Sequence, residues 1–115
     1  MIKRASELKN VNATMFGGPG EMHATLVLNP DEFAGKGRLF NKCVLHPGEA
    51  IGVHEHKKEF EVYFILEGTG TYNDNGTECS VGKGDCTICY SSEKHGILNS
   101  SNEDLVFMAL ILFSE

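Results

Sequence analysis

His54 and His56 stand two residues apart, Glu61 follows five residues after His56, and His95 lies beyond a Gly-rich interval. Three imidazoles and one carboxylate offer nitrogen and oxygen donors and no thiolate. Such a set suits one divalent transition metal (Mn, Fe, Co, Ni, Cu or Zn) and disfavours Ca and Mg. Four protein donors in an octahedral field leave two neighbouring positions for water or a ligand. A doubly charged ion against a single carboxylate keeps a net positive charge, so the site favours small, oxygen-rich, bidentate anions or enolisable groups. Such an ion polarises a carbonyl, stabilises an enolate or binds dioxygen.

Two strands must bring these donors together. On a strand, His54 and His56 project from one face. Glu61 is an odd number of residues from His56, so a turn must intervene, and Lys57-Lys58 supplies the polar break. The strand from Phe60 to Leu66 then carries Glu61, Tyr63 and Ile65 on one face. Tyr63 is a candidate proton donor beside the ion, or a core tyrosine with its hydroxyl satisfied. Glu59 has the parity of Glu61 and is read as a candidate base or as a solvated turn carboxylate. Arg38 has the fork that a substrate carboxylate would need, yet it also reads as an edge charge. His23 and His46 fall outside the pattern and are given no role.

The remaining elements are short and period-two. Strands are predicted over residues 23–28, 38–46, 60–66, 86–90, 95–98 and 105–113, with a shorter one ending at His54-Glu55-His56. Asn73-Asp74-Asn75-Gly76 is a strong hairpin signal between strands at about 68–72 and 77–81. Residues 1–10 form a helical turn or an edge strand, and Gly17-Gly18-Pro19-Gly20 a loop. The final run from Leu105 to Phe113 is continuously apolar and reads as buried on both faces. Many short strands closed by Gly-rich turns describe an all-β jelly-roll sandwich.

At 115 residues the chain is read as one domain, 1–115, large enough to bury a core without disulfides. Its net charge of −6 and scattered basic residues argue against nucleic acid. No apolar run approaches the roughly 18 residues of a membrane span, and no secretory leader is visible, so a cytoplasmic location is expected. Cys86 and Cys89 lie three apart on a strand and face opposite ways, so they are read as small hydrophobes rather than metal ligands.

The segment Gly48-x5-His54-x-His56-x4-Glu61-x6-Gly68 resembles the first motif of the cupin superfamily at every defined position. The second motif of that family is similar to residues 84–99. Gly84, His95 and Asn99 match, while Tyr90 stands where proline is usual and Ser92 where glycine is usual. The resemblance implies a small single-domain cupin: a double-stranded β-helix with His54, His56, Glu61 and His95 holding a metal inside one open end, and Asn99 serving structure. Small cupins resemble dioxygenases, decarboxylases and isomerases of sugars or keto acids, and their motifs do not separate these reactions. The first reading is therefore a metalloenzyme acting on a small oxygen-rich substrate. The second is a module that binds a small molecule in the barrel without turnover. Phe60, Val62, Phe64 and Leu66 make the outer face of their strand apolar, which points to a homodimer, as the resemblance also implies. The other way to cover that face is the N-terminal segment.

Overall fold

The computed structural model describes residues 1–115. The chain forms ten strands and two short 3-10 turns, at Ala5–Glu7 before the first strand and at Pro30–Glu32 between the second and third. They are β1 (Asn10–Ala13), β2 (Met22–Leu28), β3 (Gly37–Leu45), β4 (Ala50–Glu55), β5 (Glu59–Glu67), β6 (Thr69–Asp74), β7 (Thr77–Gly82), β8 (Cys86–Cys89), β9 (Lys94–Leu98) and β10 (Leu105–Phe113). They form a six-stranded sheet, β1-β2-β3-β10-β5-β8, and a four-stranded sheet, β4-β9-β6-β7. This is the all-β double-stranded β-helix that the motifs imply.

The core lies between the sheets. Leu45, Tyr63, Ile65, Leu105 and Phe107 come from the larger sheet and Ile51, Tyr72 and Ile97 from the smaller. Alternation explains which residues point inward: Glu61, Tyr63 and Ile65 of β5 are buried, whereas Phe64 is exposed. In β8 Thr87 and Cys89 are buried and Cys86 and Ile88 exposed, so the two thiols do face apart.

β10 departs from the expectation of burial on both faces. Phe107, Ala109 and Ile111 are buried, but Met108, Leu110 and Leu112 on the opposite face are only half-buried. On that face Phe33, just after the second 3-10 turn, packs at Gly37, the cross-strand partner of Leu112. The N-terminal residues form β1, which pairs with β2 and extends the sheet at its edge instead. Residues 1–10 thus contribute both a helical turn and the first residue of an edge strand.

Candidate metal centre

β4 supplies His54, β9 supplies His95, β5 supplies Glu61, and His56 sits in the link between β4 and β5. His54 and His95 are direct cross-strand partners. A register shift between Ile51 and His54 lets both point inward although they are three residues apart, with Val53 left exposed. Such irregularities re-aim side chains next to functional sites. Lys58, in the left-handed region at φ 60°, turns the chain so that β5 returns Glu61 to the same point. The turn predicted from Lys57-Lys58 is there for this reason.

All four side chains are buried, His95 completely. The Nε2 atoms of His56 and His95 each lie 2.9 Å from Glu61 Oε1 and 3.1 Å from each other. His54 Nε2 lies 3.1 Å from His95 Nε2 and 3.6 Å from Glu61 Oε1. Donors bound at about 2.1 Å to one ion, at right angles, are themselves about 3 Å apart.

Hydrogen bonds on the outer side of the rings decide which nitrogens carry protons. His54 Nδ1 donates to the Gly52 carbonyl at 2.8 Å, because a carbonyl only accepts. His56 Nδ1 donates to Glu59 Oε2 at 2.6 Å, and Arg38 grips the Glu59 carboxylate through Nε and Nη2 at 2.7 Å each. His95 Nδ1 meets the Tyr72 hydroxyl at 2.8 Å. In the neutral rings of His54 and His56 the inner atoms are therefore bare lone pairs, turned toward a carboxylate oxygen. Lone pairs at these separations repel; a cation among them makes each a ligand. The cluster could hold a divalent ion, and its donor chemistry fits a transition metal.

Burial pushes the Glu61 carboxyl up, but the surrounding imidazoles outweigh it and hold that group well below the usual carboxylate range. Burial likewise lowers His56, yet Glu61 and Glu59 overcome it and raise the ring above its ordinary value. Burial wins at His95, whose pKa falls.

Beside the cluster lies a cavity of about 80 Å³, walled by apolar residues including Met15, Phe16, Leu39 and Ile111, with Arg38 and Asn41 as polar members. It has room for a few waters or a ligand of a few heavy atoms. Tyr63 lines it, 1 % exposed, with its ring stacked on His95 at 4.9 Å. Burial, then the charge of Glu61, hold its phenol protonated. Glu59 is neither solvated nor free; it is locked between Arg38 and His56. Nor is Arg38 a free anchor, since Glu59 takes two arms of its fork.

The second motif is explained by its turn. Ser92 adopts φ 72°, the left-handed backbone for which glycine is usual, and its N–H donates to the His56 carbonyl at 2.6 Å. Tyr90 is exposed, so its ring is not part of the site. Asn99 is completely buried and its amide ties the Leu45 carbonyl to that of Glu103. His23 and His46 stay apart from the cluster, bonded to Glu49 and Asp104 respectively.

Sequence reasoning missed Tyr72 and Phe16. The alternation of β6, with Gly70 and Tyr72 inward, was the available sign for Tyr72. Phe16 precedes a loop whose destination no spacing reveals.

A family model described as the cupin domain matches residues 41–111. The chain belongs to the cupin family. An oxalate-binding protein of Thermotoga maritima is 39% identical over 113 residues, 97% of this cupin and 93% of that protein. A solved structure from Thermotoga maritima, described as a predicted oxalate decarboxylase, superposes with a TM-score of 0.92 at 38% identity, over 98% of this chain and 99% of that one. The polyketide cyclase RemF from Streptomyces resistomycificus shares the fold alone, with a TM-score of 0.78 at 20% identity, over 100% of this cupin and 81% of that chain.

Proposed function

We propose that this cupin holds one divalent transition metal through His54, His56, Glu61 and His95, and uses it to bind a small bidentate oxygen anion of the oxalate class. The observation that carries this reading is the convergence of the four donors, with their outer nitrogens anchored, at the side of a small apolar cavity. When bound, the ion supplies positive charge and open positions for two oxygens. The chain supplies the rest: Glu59 and Tyr72 orient His56 and His95, and the apolar walls exclude water around a compact dianion. The likeness to an oxalate-binding protein supports the ligand class.

Capture is favoured over turnover by the state of the candidate base. Glu59 is bound by Arg38 and His56 and acts as a positioning carboxylate. The buried Tyr63 phenol keeps its proton and is a donor, not a base. Metal analysis of wild type beside His56→Ala tests the site, with one ion per chain expected in the first and loss in the second. Calorimetric titration of the manganese-loaded protein with oxalate tests the ligand. Equal metal in both proteins sinks the site. Steady release of formate and carbon dioxide from oxalate would replace capture by decarboxylation, with Tyr63 as the proton source.

Two copies of the chain, joined through the outer face of the six-stranded sheet, complete the proposal. Phe64 and Ile88 are exposed there at 45% and 44%. A second copy offers the same apolar surface in return.

A further inference from the structure

We infer that Phe16 is the specificity-determining residue of this site, a ring that walls the cavity mouth and limits the ligand to a two-carbon dianion. The inference rests on the metal and ligand class proposed above.

Phe16 lies between β1 and β2, at the start of the Gly-rich loop. Its backbone is left-handed at φ 53°, a conformation rare for a bulky side chain, and the residue is 59% exposed. The fold gains little from an exposed aromatic on a strained backbone, and glycine would suit the position better. Strain that persists in this way accompanies function more often than packing. The ring stacks on His54, centroid to centroid 4.1 Å and 10° from parallel, and forms part of the cavity lining.

The segment beneath the ring is fixed rather than free. Met15 bridges to Ile51, its carbonyl accepts from Gly52 N at 2.9 Å, and the Pro19 carbonyl accepts from Ala50 N at 3.0 Å. A Cβ on Gly52 would meet the Phe16 carbonyl at 2.0 Å, and one on Gly18 would meet the Ala50 carbonyl at 2.3 Å. Those two glycines let the loop lie backbone against backbone on β4, the strand that carries His54. The main chain of Phe16 is thus referenced to a candidate ligand, and its ring stacks on that ligand's imidazole. A ligand reaching the four donors must fit between this wall and the rest of the lining, which includes Arg38 and Leu39.

Cobalt-loaded wild type, Phe16→Gly and Phe16→Leu test the wall. Visible absorption follows titration with azide and with 4-phenylimidazole, and calorimetry follows oxalate and succinate. Removing the ring should strengthen 4-phenylimidazole binding relative to azide by about tenfold or more, and narrow the preference for oxalate over succinate similarly. Phe16→Leu should fall between, and it decides the matter if Phe16→Gly folds poorly. Cobalt content should stay at one ion per chain. Azide and 4-phenylimidazole changing by one common factor in the folded variants would overturn the wall, as for a ring that only packs. Wild type that binds azide but no dicarboxylate would overturn the ligand class alone. A protein that takes up no cobalt would overturn both.

Discussion

Each imidazole of the centre leans on a different partner: a main-chain carbonyl behind His54, a carboxylate behind His56 and a phenol behind His95. Such partners fix ring orientation and raise donor strength. Glu59→Gln should therefore weaken metal binding about 10–100-fold in competition with a chelator, without unfolding the chain. Unchanged affinity would show that the contact with His56 is incidental. The four donors were legible because the intervals between 54, 56 and 61 match what a strand, a turn and a second strand deliver. The Arg38–Glu59–His56 chain was not. Its members come from β3, β5 and the link after β4, and no interval in the sequence joins Arg38 to Glu59. Tyr72 stayed hidden because a tyrosine facing inward on a strand looks the same whether it packs or orients a histidine.

The strands themselves were readable from alternation and turn residues, with ends displaced by a residue or two. β4 was harder, since its register shift breaks the period-two rule between Ile51 and His54, although His54 and His56 still share the buried side. The link from β3 to β4 also carries a titratable contact, the His46–Asp104 pair at 2.8 Å, which ties the end of β3 to the start of β10. The hydrogen bond to Asp104 raises His46 above its ordinary value of 6.5. The folded state thus holds this proton more tightly, and the stabilisation is complete below that value. It is lost as pH rises through the raised pKa. Melting temperatures of wild type and Asp104→Asn should accordingly differ at pH 5.5 and converge toward pH 9. A gap that widened with pH would contradict the pair.

At the scale of the molecule, the unfinished feature is the outer side of the six-stranded sheet. Its apolar character was visible in the sequence, as the alternate residues Phe60, Val62 and Phe64, whereas the second copy proposed to cover it has no signature in one chain. Sedimentation should find a dimer at micromolar concentration, and Phe64→Glu should shift it to one chain while the metal content is unchanged. A monomeric wild type would leave that face to some other purpose.

His54 and His95 belong to the four-stranded sheet and Glu61 to the six-stranded one. An ion shared by these three is a rivet through both layers, placed at one mouth of the sandwich. The opposite mouth is fastened differently, by the buried amide of Asn99, just past β9, donating to the Leu45 carbonyl of β3. With the proposed ion bound, the molecule would have one permanent seam and one that its chemistry can undo. Chelation would spring the layers at the ligand's own entrance and leave the far end sewn.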